Sequence, residues 1–504
     1  MQYLDGQAVS TEIKGVSAAR LFKLPRFNLA FLTNPLIGIR KACLFMNSAV
    51  IKAPPYPKPI VAWIVVSMLL VAAIVSFIDR QVIAIVIDDM KSDLAVGDAQ
   101  IGWLYGIFAV FYALAGFPIA WLSDHKSRKH IIAIGIFFWS LMTITCGLTQ
   151  NYWQLFLARM GVGVGEATLM PAQISLIGDY FPREKIPLVI SVLQAGPIIG
   201  TGAAFIIGGY VLEIVADAGA VVVPFFGELQ PWQLTFIYVG LPGLALALLF
   251  LLIREPARRP AHDAAGADEK DGPFIALRLF YSRNRHTIVF HHLGFLCLTL
   301  VGYTFVFWTV SFFVRVHGYE NYTASQIFGW MFLIAGPAGP IIVALFASWL
   351  ARRGRRDANI LAPMISGILG VVFIISVQFM PSSQLAWIMY VPAIVFVNGP
   401  LGIAYGALAV ITRPPIRARV AALYMLVSSI GILIGPPIAG IFNESIFPRG
   451  EGIRYSIMSV SMLFGVLGSA LLALSLNHYR RSMDAAAEWA EEVITPTTSG
   501  QISN

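Results

Sequence analysis

The sequence predicts an all-α polytopic membrane protein with twelve transmembrane helices in two halves of six. Three observations support this fold class: an apolar composition, long apolar runs at regular intervals, and an internal repeat. Of the 504 residues, 57% are hydrophobic and 12% are charged, whereas soluble domains carry about 25% charged residues. A chain this poor in charge needs lipid as its solvent, where helices satisfy their own backbone hydrogen bonds.

Apolar runs of about twenty residues, the length that spans a bilayer as a helix, occur twelve times. The six runs of the first half are 60–87, 99–123, 130–149, 152–178, 187–214 and 233–254. The six runs of the second half are 286–316, 323–350, 357–380, 384–412, 418–442 and 453–477. Pro392 and Pro400 interrupt the tenth run, which is tolerated in helices that line a cavity.

Lys and Arg residues concentrate in alternate loops, and this bias predicts the orientation of the chain. The loops "DHKSRK", "PREK", "ARRGRR" and "RPPIRAR" are predicted to be cytoplasmic, as are both termini. Of the 35 Lys and Arg residues, the predicted outer side holds Lys91, Arg315, Arg449 and Arg454. We therefore expect a multi-pass protein of the cell membrane, or of the inner membrane if the source is bacterial.

Five segments follow from these runs and loops. They are a basic cytoplasmic extension (1–57), a first six-helix bundle (58–254), a cytoplasmic linker (255–285), a second six-helix bundle (286–478) and an acidic cytoplasmic tail (479–504). The first residues lack a basic region followed by an apolar one, so no cleavable signal peptide is predicted.

Several function classes are disfavoured. The net charge of +8 comes from short loops and not from one basic face, which argues against nucleic-acid binding. Cys43, Cys146 and Cys297 are far apart, so neither a disulfide framework nor a metal site is indicated. There is no phosphate-binding loop of an ATP-driven pump, and no catalytic set or cofactor motif. The glycines at 161, 163 and 165 are interpreted as a helix-packing stripe.

Four ionisable residues fall inside the first and fourth apolar runs: Asp79, Arg80, Arg159 and Glu166. Each costs at least a few kcal/mol in the membrane, so such residues usually mark function. At 1.5 Å per residue, Asp79 lies roughly 12 Å and Arg159 roughly 10 Å below the outer edge, whereas Glu166 lies roughly 21 Å deep. Asp79 and Arg159 are therefore predicted to be level. The alternative is a self-neutralising cluster that only joins two helices.

Adjacent residues on a helix cannot point the same way, so we expect Asp79 to face the cavity and Arg80 to reach the fourth helix. Desolvation raises the pKa of a carboxyl group and a nearby Arg lowers it, so making and breaking such a contact would load and release a proton. Asp79 and Glu166 are the predicted proton-coupling residues, with protons as the coupling ion. Arg80 and Arg159 are the predicted charge partners or anion site.

The second half offers no deep charge. Its seventh run contributes Tyr303, Phe305 and Trp308, and its tenth contributes Asn398 and Tyr405. Any one of these aromatic residues is most simply explained as packing or lipid-facing surface. Together they predict an apolar wall opposite a charged one, which suits a small amphipathic substrate with an anionic head and an apolar tail.

The halves repeat each other: "AWLSDHKSRK" at 120–129 aligns with "ASWLARRGRR" at 347–356. Both segments resemble the G-x-x-x-D-R/K-x-G-R/K-R/K loop of the major facilitator superfamily, although Ala120 replaces the leading Gly and Ala351 replaces the acid of the second copy. The resemblance implies two pseudo-symmetric bundles around a central cavity. It also implies a conformational gate in which Asp124 pairs with the other half in the outward-open state, and in which Arg128 and Lys129 do likewise or meet lipid phosphates.

The stretches "FIDRQVIAIVIDDMKSDLAVGDAQIGWL", "PIAWLSDHKSRKHIIAIGIFFWSL" and "LFLARMGVGVGEATLMPAQISLIGDYFP" are similar to the Spinster branch of that superfamily, which transports lysolipids and sphingosine phosphate in animals and has bacterial members. The resemblance implies a monomeric secondary transporter of an anionic lipid among membrane lipids. Proton-coupled multidrug or organic-anion efflux is the alternative carrier function. An uncoupled facilitator, a channel or a transport-like receptor would share the topology.

Overall fold

The computed structural model describes residues 56–182, 184–224, 227–258, 273–413, 416–448 and 451–494. The helices of the first half are α1 (Pro59–Gln81), α2 (Ile87–Leu94), α3 (Asp98–His125), α4 (Arg128–Cys146), α5 (Tyr152–Glu166), α6 (Leu169–Tyr180), α7 (Ile186–Ala218) and α8 (Pro231–Leu251). After the linker helix α9 (Pro273–Arg283), the second half has α10 (Arg285–His317), α11 (Asn321–Arg352), α12 (Ala358–Gln378), α13 (Ser383–Asn398), α14 (Pro400–Ile411), α15 (Arg417–Ser445) and α16 (Gly452–Ile494).

The predicted fold class is confirmed. Eleven helices among the described residues are long and apolar enough to cross a membrane. The remaining predicted run, 152–178, is occupied by α5 and α6 in succession. These two helices are separated at Ala167 and Thr168, where the Thr168 N–H bonds to the Gly165 carbonyl three residues back at 3.2 Å, a tightened turn typical of a helix end. The architecture is consistent with twelve crossings.

Three local elements differ from the sequence prediction. The first run ends as a helix at Gln81, continues as a single 3₁₀ turn (Val82–Ala84) and is followed by the separate helix α2. A two-stranded antiparallel hairpin, β1 (Val221–Val223) with β2 (Gly227–Leu229), joins α7 to α8. The segment predicted as a tail from 479 is helical as far as residue 494, because α16 continues into it.

The extension of α16 has a local and a tertiary cause. Residues 485–487 are alanines, the strongest helix formers. Arg480 on the same helix donates to the Asp357 carboxylate at 2.6 Å, and Asp357 is fully buried. The helix therefore continues because its side chains pair with the loop before α12. Residues 1–55 of the predicted extension and 259–272 of the predicted linker lie outside the described residues.

The two halves pack closely at one end, called here the outer end and defined by Asp88, Asp98 and Arg315. A Cβ atom on Gly102 of α3 would lie 2.6 Å from the backbone of Pro437 on α15. Midway along α7, a Cβ atom on Gly202 would likewise lie 2.9 Å from Leu333 on α11. Such distances require glycine, so α3 meets α15 and α7 meets α11 as nearly bare backbones. The sequence predicts this end to be extracellular.

Candidate functional site

The centre of the site is an ion pair between α1 and α5. The Arg80 guanidinium donates from Nη2 to Glu166 Oε2 at 2.6 Å, and Ser76, one turn earlier on α1, donates to the same oxygen at 2.7 Å. The Glu166 side chain is fully buried, whereas 11% of the Arg80 side chain is exposed. The prediction that Arg80 reaches the fourth crossing is confirmed. Glu166 Oε1 has no hydrogen-bond partner among the described residues.

Aromatic rings surround the Arg80 guanidinium. Its central carbon lies 4.4 Å from the ring centre of Phe77 and 4.4 Å from that of Phe108, with Tyr112 at 5.5 Å. A cation is attracted to the faces of such rings, and the attraction strengthens where water is excluded. The charge of Arg80 is therefore held by one carboxylate and a ring cage, while 11% of its side chain remains exposed.

Asp79 and Arg159 form a second group of charged residues, which is closed off from solvent. Both side chains are fully buried. Arg159 donates to the backbone carbonyls of Asp79 and Arg80 at 3.1 and 3.3 Å, which confirms that Asp79 and Arg159 are level. The Asp79 carboxylate makes no well-formed hydrogen bond to a described residue, although Arg159 and Trp139 both interact with it electrostatically.

This arrangement corrects the expected orientation of α1. Asp79 was expected to face the cavity, but the residue with exposed surface is Arg80. Successive residues of a helix point about 100° apart, and the rotation of α1 that brings Arg80 to Glu166 turns Asp79 away, among the helices of the first half. The expectation that Arg80 and Asp79 point differently is confirmed.

The glycine stripe of α5 makes this close assembly possible. A Cβ atom on Gly163 would lie 2.6 Å from the Phe108 carbonyl of α3, and one on Gly165 would lie 2.7 Å from Trp139 of α4. Because α3 and α4 approach α5 to within backbone contact, the rings of Phe108 and Trp139 reach the buried charges. The interpretation of these glycines as a packing stripe is confirmed.

A cavity beside the ion pair is lined by both halves. Its first-half walls include Phe77 and Gln81, which flank Arg80 in the chain, and its second-half walls include Tyr303 and Asn398. Tyr303 lies close enough to Arg80 to interact with it electrostatically. Two of the five predicted residues of the second half therefore meet the charged half at this cavity.

The other three predicted residues of the second half lie elsewhere. Phe305 is fully buried and stacks on Tyr390 at 4.7 Å. Trp308 is fully buried and donates to the Pro436 carbonyl at 3.0 Å. Tyr405 is 43% exposed. Residues 303, 305 and 308 cannot share one face of a helix with 100° between successive side chains, so α10 directs Tyr303 to the cavity and uses Phe305 and Trp308 for packing.

The predicted gate residues contact the first half and the start of the linker. Arg128 is buried and pairs with Asp179 of α6 and with Glu255 at 2.7 Å. Lys129 donates to the carbonyls of Leu251 and Ile253 at 3.3 and 3.1 Å. Burial would raise the pKa of Glu255, but hydrogen bonds from Ser127 and Arg128 outweigh burial and hold that pKa below its usual value.

Asp124 itself is exposed. Its backbone carbonyl accepts a hydrogen bond from Arg258, which also donates to the carbonyls of Ser123 and Lys126 at 2.8 and 2.6 Å. These carbonyls end α3 without intrahelical partners, and Arg258 supplies them with donors. The start of the linker is thereby attached to the loop that carries Asp124.

Sequence reasoning missed one group of charges. Arg315 of α10 pairs with Asp88 and Asp98 of the first half at the outer end. The available signal was the scarcity of positive charge on the predicted outer side, since Arg315 is one of only four such residues. Arg315 was used to predict orientation, but its partners lie more than 200 residues away along the chain.

The two bundles of membrane-crossing helices pack together at one end, and both line a cavity beside the caged ion pair. This arrangement defines a membrane transporter and not an enzyme. The chain belongs to the Major Facilitator Superfamily, whose family model matches residues 69–436.

Known relatives sharpen this assignment. The chain is 26% identical over 315 residues to the sphingosine-1-phosphate transporter SPNS2 of Danio rerio, covering 60% of this chain and 59% of that protein. It is 22% identical over 435 residues to an MFS-type efflux pump of Mycolicibacterium smegmatis, covering 84% of this chain and 94% of the pump. The fold is similar to that of a bacterial homologue of the human lysosomal transporter spinster, in an inward-facing and unoccupied conformation, with a TM-score of 0.75, 25% identity and coverage of 84% and 99%.

Proposed function

We propose that this protein is a proton-coupled secondary transporter that moves an anionic, single-tailed lipid of the lysophospholipid or sphingoid-phosphate type by alternating access. The observation that carries the proposal is the position of Arg80. Its side chain is 11% exposed, pairs with Glu166 and interacts with Tyr303, a residue of the cavity that both halves line. A charged group next to a largely apolar cavity suits a substrate with an anionic head and an apolar tail.

The conformation supports alternating access. The polar contacts between the halves gather at the outer end, where Arg315 bonds to Asp98 and Asn321 bonds to Asp89 at 2.9 Å. At the opposite end the charged loops bond within their own halves, as Arg128 does with Asp179. With both termini in the cytoplasm, as the loop charges predict, this is an inward-open state.

The chemistry of the pair supports proton coupling. An anionic head that takes over the Arg80 guanidinium would leave the buried Glu166 carboxylate without its charge partner. An unpaired charge is costly in an apolar site, and a proton on the carboxylate would neutralise it. Asp79 is a second buried carboxyl one residue from Arg80. Proton uptake and anion binding are thereby linked.

The test uses purified protein in proteoliposomes with a labelled anionic lysophospholipid, its zwitterionic choline counterpart, and an imposed pH gradient. Transport is read as label that albumin cannot extract from the outer leaflet. We expect uptake of the anionic lipid to follow the gradient, and to become insensitive to it in the Asp79→Asn, Glu166→Gln double variant. Glu228→Gln, which removes an exposed acid on β2, is the matched control and should behave as wild type.

Four results would contradict parts of this function. Uptake that ignores the gradient in the wild type indicates an uncoupled facilitator, and flux at channel rates excludes a carrier. Transport of organic anions or drugs with no lipid transport favours efflux, the second candidate, because the match to the mycobacterial efflux pump spans 94% of that protein. Unchanged gradient dependence in the double variant would rule out these two acids as the proton sites.

A further inference from the structure

A charge cluster at the outer end joins the two halves and is separate from the site around Arg80. The Arg315 guanidinium forms a two-pronged pair with Asp98, Nη1 to Oδ2 at 2.7 Å and Nη2 to Oδ1 at 2.8 Å. Its Nε donates to Asp88 Oδ1 at 2.7 Å. Parallel bonds of this kind are the strongest and most geometrically specific of the side-chain ion pairs. One Arg of the second half therefore holds two acids of the first.

Asp98 is the centre of the cluster. It is only 1% exposed, although it lies at the first residue of α3, where the helix dipole favours a negative charge. Besides Arg315 it accepts from Lys91 at 2.6 Å and from Asn443 of α15. Two of its three partner residues thus belong to the second half. The full set of bonds exists only while the halves are in contact.

The position of Asp88 is set by the break in the first crossing. The 3₁₀ turn at Val82–Ala84 is completely buried, and it ends α1 so that α2 begins at Ile87. The first turn of α2 carries Asp88, which accepts from Ser311 at 2.9 Å as well as from Arg315. An unbroken first helix would have carried Asp88 along the axis of α1 and away from Arg315.

The cluster is suited to reversible closure. A fully buried ion pair often gains little over apolar packing because both charges lose their hydration. Here 15% of the Arg315 side chain and 24% of the Asp88 side chain remain exposed. When the halves separate, water can replace each lost partner, so opening has a finite cost and no charge is stranded in lipid.

We propose that Arg315, together with Asp98 and Asp88, is a latch that keeps the outer end closed and so sets the balance between the two access states. The proposal rests on the proposed function only in assuming alternating access. It does not depend on the substrate or the coupling ion. Asp98 is assigned the larger share because it is buried and holds the two-pronged pair with Arg315, whereas 24% of the Asp88 side chain is exposed.

The test measures conformation directly, without substrate. In a background lacking the three native cysteines, spin labels at positions 151 and 384 report the outer separation, and labels at 184 and 352 report the inner one. All four residues are exposed. We expect Arg315→Met to lengthen the outer distance, shorten the inner one, and raise the outward-open to inward-open ratio about tenfold or more, since removing one member of a desolvated charge pair is costly. Asp98→Asn should shift the ratio more than Asp88→Asn.

Arg454→Met is the matched control. Arg454 lies at the same end of the molecule, but it pairs with Glu451 of its own half at 3.0 Å, so its removal should leave both distances as in wild type. Distances for Arg315→Met equal to those of wild type, or an equal shift in Arg454→Met, would overturn the proposal. Should Arg315→Met fail to give folded protein, Asp98→Asn, which keeps the side-chain shape, is judged by the same two criteria. Failure of lipid transport in the earlier test leaves these distances unaffected.

Discussion

Replacing Glu166 with Gln is expected to destabilise the protein by about 3 to 5 kcal/mol, because the buried Arg80 guanidinium loses its carboxylate partner. Arg80→Met should also be destabilising, since it leaves the buried Glu166 carboxyl with only the Ser76 hydroxyl as a donor among the described residues. The double variant Arg80→Met, Glu166→Gln should be more stable than either single variant, because it removes both charges together. Thermal unfolding in detergent, arranged as a double-mutant cycle, measures these differences.

Transport measurements separate the role of the Arg80–Glu166 pair in transport from its contribution to the stability of the fold. We expect Arg80→Met and the Arg80→Met, Glu166→Gln variant, whose stability is recovered, to lose transport of the anionic lipid, whereas Glu166→Gln should keep transport but lose its dependence on the pH gradient. The Arg454 and Glu451 pair is the control cycle, because Glu451 is 52% exposed and surface pairs contribute about 1 kcal/mol or less. Recovery of transport along with stability in the double variant would show that the pair only fastens α1 to α5.

Gly102→Ala is expected to prevent normal closure of the outer end. The added Cβ would lie 2.6 Å from the backbone N and Cα of Pro437 on α15, and backbone atoms cannot move aside as a flexible side chain can. Overpacking of this kind costs about 1 to 3 kcal/mol. Because the clash exists only where the halves meet, the cost falls on the closed outer end and should shift the protein toward the outward-open state.

The measurement is labelling of a buried reporter by a membrane-impermeant maleimide. Ser325→Cys is a conservative reporter, since Ser325 is fully buried at the outer contact of α11 with Gly209. We expect labelling to quicken about tenfold in Gly102→Ala. Gly116→Ala is the control on the same helix: nothing lies within 4 Å of its added Cβ, and Ala favours the helix over Gly by about 1 kcal/mol. Equal labelling rates in Gly102→Ala and Gly116→Ala would contradict the prediction that the added Cβ of Gly102→Ala holds the outer end open.

Much of the fold was predictable because it depends on local properties. A helix must be apolar for about twenty residues to cross a bilayer, so the runs and the observed helices agree within a few residues at most ends. The depth of a residue follows from its count along a helix, which placed Asp79 level with Arg159. The breaks were harder to predict, since the turns after Gln81 and Glu166 interrupt runs that remain apolar.

The direction in which side chains point was predicted less well. Depth does not specify rotation about the helix axis, and the rotation of α1 is set by the contact of Arg80 with Glu166 on another helix. Asp79 was therefore assigned to the cavity although it is buried behind it. Phe305 and Trp308 were likewise grouped with Tyr303 by type, whereas their faces on α10 differ.

The sequence by itself determined that this protein lives in a membrane, crosses it in two repeated halves, and carries its deep charges in the first half, because length, hydropathy and charge are properties of each segment. Only the tertiary structure decided which charges become partners. Arg80 contacts Glu166, which is 86 residues away in the sequence, and Arg315 contacts Asp98, which is 217 residues away. An ion pair depends on distances of a few ångströms between atoms, and those distances are set by how glycine-lined helices pack against one another.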